Sequence, residues 1–201
     1  MATHHRSNRH FSPCRGLRKT SGPRHLWQRG STLIEQIMVL AIVLSLAGIA
    51  TPPLRKLLTR SQMQSAQTDF IAGLQHARAT AITSGRQTLF CPTLDGTTCS
   101  DARRWENGWL LASDSNLDNQ PDNGPLYRGT GYAGKLMIQS SVGRHFVRFH
   151  ADGTASGSNL TLLFCSPSSS DNVLSVVISN SGRVRGAPAS TAQAATCAQM
   201  R

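Results

Sequence analysis

Few side chains in this sequence have types and spacings that could do chemistry. His145, His150 and Asp152 lie close enough in sequence for proton transfer, yet His150-Ala151-Asp152-Gly153 reads first as a hairpin turn, because Asp-Gly readily supplies positive φ. Asp114-Ser115-Asn116-Leu117-Asp118 spaces oxygen donors like the opening of a calcium loop. It lacks the glycine at the sixth place and the glutamate at the twelfth that complete such a loop, so a solvated acidic loop is the simpler reading. No nucleophile elbow, Walker loop, His-Glu-x-x-His helix or dinucleotide fingerprint occurs. An enzyme is therefore the least supported class, and no cofactor or metal is expected. Arg183-Val184-Arg185 is different: if extended, it sends two guanidiniums off one face and the valine toward the core. Such a pair can straddle phosphates, and Lys135, Arg144 and Arg148 are candidates to extend it to about four phosphate contacts. The plain alternative is a solvated strand end. The last chemical oddity is Glu35, a carboxylate at the mouth of a long apolar run, where an ionised group deep in hydrocarbon costs about 2.5–3.5 kcal/mol.

The elements that hold these residues follow from composition. With 201 residues and 39% hydrophobic content the chain can fill one modest core plus an extra segment. The net charge of +11 is uneven: residues 1–30 carry seven basic and no acidic side chains, and residues 31–201 carry 14 basic against 10 acidic, a net +4. High overall charge thus says little about nucleic acid. Residues 1–30 have the composition of an unfolded, solvated stretch. From Leu33 to Ala50 the text is apolar but for Glu35, Gln36, Ser45 and Gly48, and with its flanks, 31–54, it is long enough to enter a bilayer. A buried core helix is the alternative. The heavier basic flank lies on the N-terminal side, which puts the N-terminus in the cytoplasm and the bulk of the chain outside.

Pro52 and Pro53 remove two amide donors and should kink or locally open the helix. Beyond them, Met63, Ala66, Phe70, Leu74, Ala77 and Ala81 follow i+3/i+4 spacing and form one stripe, to be packed on a head domain. Leu54, Leu57 and Leu58 point nearly the opposite way, either to the same head or to other helices. After Ser84-Gly85 the period changes, and short β-type runs appear at 87–91, 109–112, 135–140, 145–150, 160–165 and 173–179. A long helix followed by consecutive strands argues for an α+β fold with antiparallel sheets.

Gly30-Ser31-Thr32-Leu33-Ile34-Glu35, after a basic leader and before an apolar helix, resembles the class III signal of type IV pilins. In the head, Ala72–Ala81, Trp105-Glu-Asn-Gly-Trp109, Phe149-His-Ala-Asp-Gly-Thr154 and Ser181-Gly-Arg-Val-Arg185 look like the GspH/FimT group of minor pilins and pseudopilins. The resemblance spans residues 30–186. It implies a type IV pilin-like fold, with a cleaved leader at 1–30, a transmembrane part at 31–54, an amphipathic part at 55–84 and a β-rich head at 85–201. It implies a cut by prepilin peptidase after Gly30 and N-methylation of Ser31. Glu35 would then attract the freed amine of a neighbouring subunit, a pairing that low dielectric strengthens. The implied partners are that peptidase, the inner-membrane assembly platform and other pilins. The implied site is the bacterial inner membrane with the head in the periplasm, then the pilus or pseudopilus. In similar minor pilins the GRxR pattern is associated with DNA capture in natural transformation. A minor pseudopilin of type II secretion is the alternative within the group. A secreted soluble binding protein, cut ahead of Thr51, is the alternative outside it.

Removing residues 1–30 takes Cys14 with it and leaves Cys91, Cys99, Cys165 and Cys197. An even set outside the cytoplasm is expected to oxidise; Cys91–Cys99 with Cys165–Cys197 is the obvious one of three connectivities. The second bridge would pin the C-terminal tail to the sheet. Zinc suits this spacing poorly, with no Cys-x-x-Cys pair present.

Overall fold

The structure, a computed structural model, describes residues 30, 32–167 and 172–199, and for 49–53 and 55 the backbone alone. The expected leader therefore lies, except for Gly30, outside the described residues. The chain divides into two units, Met1–Leu46 and Ala47–Arg201. Helix α1, Leu33–Ser84, runs without interruption through Pro52 and Pro53, where a kink or local opening is expected. A proline pair deletes two donors, and the turns on either side carry the helix across.

In the larger unit two four-stranded antiparallel sheets follow the helix. Sheet A holds β1 (Thr88–Pro92), β2 (Trp109–Ser113), β3 (Tyr127–Gly129) and β5 (Val147–Phe149), in the order β3-β2-β1-β5. Sheet B holds β4 (Met137–Ser140), β6 (Leu160–Cys165), β7 (Leu174–Ile178) and β8 (Val184–Pro188), in the order β4-β6-β7-β8. A short helix α2, Thr191–Gln199, closes the chain. The fold is α+β.

The stripe from Met63 to Ala81 is buried and shares one core with the inner faces of both sheets. Phe70 sits at its centre, with ring centroids 5.3 Å from Phe164, 6.0 Å from Trp109, 6.2 Å from Trp105 and 6.3 Å from Phe90. Gly73 explains how closely helix and sheet approach: a Cβ there would stand 2.4 Å from the Trp109 ring. Substitution at Gly73 would push α1 off sheet A.

Each sheet also has an outer face, and both are stapled. On sheet A, Leu89, Cys91, Leu110 and Ala112 form a second apolar cluster with Cys99 and Phe146, and Cys91–Cys99 is a disulfide. On sheet B, Cys165, Val173 and Cys197 form a third with Met137, Leu163, Ala189 and Ala194, and Cys165–Cys197 is a disulfide. Ser190 caps α2: its hydroxyl accepts the Gln193 amide at 3.3 Å while the Gln193 side chain accepts the Ser190 amide at 2.8 Å.

Candidate functional site

Two groups of residues could act outward: the start of α1, and the basic corner of sheet B. At the first, Gly30 is exposed, and Ser31 lies outside the described residues. Thr32 caps the helix; its Oγ1 and carbonyl oxygen accept the Glu35 amide at 3.4 and 3.0 Å. Thr32-Leu-Ile-Glu35 thus has the form of a capping box, with an acid in the first turn where the helix dipole favours it. This local role is additional to the docking charge expected of Glu35, and the Thr-x-x-Glu spacing is its sequence signal. Ten large apolar side chains between Leu33 and Leu46 are each more than half exposed. The expected membrane part, 31–54, includes residues outside the description, and among the described residues no helix is long and apolar enough to cross a membrane. Leu54, Leu57 and Leu58 are not packed on the head; they are 55%, 63% and 55% exposed.

At the second, β8 is an edge strand. Its Arg185 pairs across with Val177, whose neighbours Val176 and Ile178 enter the core, so Arg185 projects from the outer face. Val184 packs against the core, and Arg183 and Arg185 are exposed on either side of it. Neither has an ion-pair partner among the described residues. Arg183 continues the hairpin: the Ser179 amide donates to its carbonyl at 3.1 Å, and the Gly182 amide donates to Ser179 at 2.8 Å.

Of the other three cations, Arg148 and Lys135 are set apart from this corner. Arg148, on β5 of the other sheet, is held by Asp114 at 2.9 Å, with Asp114 fully buried and Arg148 also bonded to Asn119 and over the Phe146 ring. Lys135 is exposed but precedes β4, the opposite edge of sheet B, at the end that pairs with Cys165. Three strand spacings, roughly 14 Å, separate the two edges. Arg144, between β4 and β5, donates to the Gly157 carbonyl at 2.6 Å. Sheet order sets Lys135 apart from Arg183 and Arg185, and the buried Asp114 carboxylate engages Arg148, two separations that sequence left open.

The remaining candidates have structural partners. Asp114 serves Arg148, and Asn116 and Asp118 bond each other at 2.9 Å; no three acidic, histidine or cysteine groups cluster as metal ligands among the described residues. Asp152 accepts the Thr154 amide at 2.9 Å and its hydroxyl at 2.7 Å, bonds that hold its carboxyl below the usual range, the backbone bond contributing most. His150 and Gly153 close the same turn, the Gly153 amide donating to His150 at 2.8 Å. The Asp95 carboxyl is likewise held low, first by the backbone amides of Thr98 and Thr97. Burial, with the nearby Asp69 charge, pushes the Tyr132 phenol up. A hollow of about 520 Å³ is lined by Leu94, Arg104, Glu106, Leu136 and Met137 among others and pairs no nucleophile with a base.

Residues 66–182, more than half of the chain, match the family described as Type II transport protein GspH, and the chain belongs to that family of minor pilins and pseudopilins. The matched segment begins after Glu35 and ends at Gly182, one residue before Arg183. Among solved structures, the chain is similar to the type IV minor pilin FimU of Pseudomonas aeruginosa PAO1. Identity is 23% and the TM-score 0.54, over 64% of this chain and 90% of that one. A second crystal form of FimU gives 24% and 0.50, over 62% and 92%. The minor pseudopilin EpsH of the Vibrio cholerae type 2 secretion system aligns at 15% identity and a TM-score of 0.46, over 62% and 95%. At these identities the likeness to FimU speaks for the fold alone. None of the curated proteins compared with the chain matches it.

Proposed function

We propose that this chain is a minor pilin of a type IV pilus. Prepilin peptidase cuts after Gly30, the new amine at Ser31 is methylated, and the helix from 31 to 54 holds the chain in the inner membrane with the head, 85–201, in the periplasm. The assembly platform then transfers it into the fibre, where α1 packs among the helices of other pilins. The observation that carries this reading is the ten exposed apolar side chains between Leu33 and Leu46. Apolar surface of that extent marks contact with lipid or protein. Glu35 serves as the docking charge, and no catalytic step is assigned. Replacing Glu35 with alanine should abolish incorporation into sheared pili, read by immunoblot, while the protein still accumulates in the membrane; undiminished incorporation would refute the docking role. The family description, Type II transport protein, favours a sister reading as a minor pseudopilin. Gene deletion separates the two: loss of piliation supports the first, loss of protein secretion the second.

Arg183 and Arg185, exposed and without an ion-pair partner among the described residues, support a second activity, binding of DNA without sequence preference. Two phosphate contacts, rather than four, imply a salt slope near −1.8, so affinity should fall about tenfold between 50 and 200 mM salt. Arg183→Gln/Arg185→Gln should lose most of that binding in a duplex titration. Equal binding by the double variant would remove these arginines from the role.

A further inference from the structure

Three stretches far apart in sequence meet beneath the Arg183–Arg185 corner. Arg78, on α1, donates through Nε to the Gly153 carbonyl at 2.9 Å. Gly153 sits at φ +78° in the 150–154 turn and Gly182 at φ +74° in the hairpin turn, and both are buried. A Cβ on Gly182 would stand 1.9 Å from the Gly153 carbonyl oxygen and 3.1 Å from Arg78 Nε. The same two turns are joined a second time, by the Ala155 amide donating to Asn180 at 2.9 Å. The hairpin that carries Arg183 therefore packs on the Gly153 carbonyl and bonds the same turn at Asn180, and α1 holds that carbonyl through the Arg78 Nε–H.

We propose that Arg78 is a positioning residue for the basic corner: it anchors the 150–154 turn, which in turn holds the 179–183 hairpin and sets Arg183 and Arg185 before any ligand arrives. This inference rests on the DNA reading above for its functional consequence, though not for its structural one. A held loop loses less freedom on binding, so anchoring raises affinity without adding a contact. The planar Nε–H is the working group, and the positive charge is incidental.

Two substitutions separate donor from charge. In Arg78→Gln the amide nitrogen occupies the same place along the side chain as arginine Nε, so the bond survives and the charge goes. In Arg78→Lys a methylene stands there, so the charge survives and the bond goes. Both residues are good helix formers. The full chain, purified in a non-ionic detergent, is titrated with duplex DNA at several salt concentrations, the leader cations being common to every arm. Arg78→Lys should bind about fivefold more weakly, the loss expected of one hydrogen bond, with an unchanged salt slope. Arg78→Gln should bind as the wild type does. Hydrogen exchange gives the independent readout: the Ala155 and Gly182 amides should exchange about fivefold faster in Arg78→Lys and at the wild-type rate in Arg78→Gln. Wild-type binding and exchange in Arg78→Lys would overturn the proposal. So would a salt slope reduced by about one in Arg78→Gln, which would make Arg78 a phosphate contact. If the wild type binds no duplex, the DNA reading fails, and the exchange rates alone still decide whether Arg78 holds the hairpin.

Discussion

Arg148 on β5 and Arg185 on β8 occupy like positions, each on the outer face of a four-stranded antiparallel sheet next to a strand that feeds the core. Their fates are opposite. Arg148 is pinned to a fully buried Asp114, above an apolar cluster that covers the outer face of sheet A. Arg185 stands in solvent, because α2 covers the other end of sheet B, over Met137, Leu163 and Val173. What lies over a sheet, and whether a carboxylate is built into that cover, decides whether an arginine is structure or ligand site.

The two covers can be broken separately. Cys197 is the one buried residue of α2, and a nine-residue helix is too short to persist alone. Cys165→Ser/Cys197→Ser should therefore cost about 3.5 kcal/mol by loop-closure entropy and strip amide protection from 191–199, leaving sheet A protected. Protection retained in α2 would show that the small cluster beneath it suffices. Next in size, Arg148→Met should cost about 3 kcal/mol in urea unfolding, since it strands the buried Asp114 charge; adding Asp114→Asn should recover most of that loss. Arg185→Gln should stay within about 0.5 kcal/mol of the wild type. Similar losses for both arginines would erase the contrast between the faces.

The smallest effect lies in the loop that covers sheet A. Asp95 is fully exposed, but its carboxyl accepts the Thr97 and Thr98 amides and is held below its ordinary value. A group depressed in the folded state contributes its full stabilisation above the unfolded value, near pH 4, and loses it as the pH falls through the folded value. Thermal unfolding from pH 5 to pH 2 should show a steeper loss of stability in the wild type than in Asp95→Asn. Parallel curves would mean that these bonds do not distinguish the folded carboxylate from the unfolded one.

Much of the fold was legible because periodicity is local information. The stripe from Met63 to Ala81 reads at i+3/i+4 and is buried, and the alternation around Val184 reads from three residues. The parts that escaped are those set by distant partners or by weak patterns. Nothing near Arg148 in sequence announces Asp114, which lies 34 residues away. Lys135 left the basic patch through strand order, which local spacing does not encode. Strand β3 is three mostly exposed residues with little apolar content, and α2 is an Ala-rich segment whose helical period is weak until Cys197 is tied down. Beta-type periodicity also overran the ends of β4 and β5: the runs 135–140 and 145–150 shorten to Met137–Ser140 and Val147–Phe149 as turns claim their flanks.

The central claim, a leader removed at Gly30 and an apolar helix kept for life in a membrane and then a fibre, is tested most directly by intact mass of the chain expressed with and without prepilin peptidase. Processing predicts loss of residues 1–30 only when the peptidase is present, with the new N-terminus at Ser31 and one added methyl group. An unchanged mass in both cultures, or a chain beginning at Thr51, would contradict it.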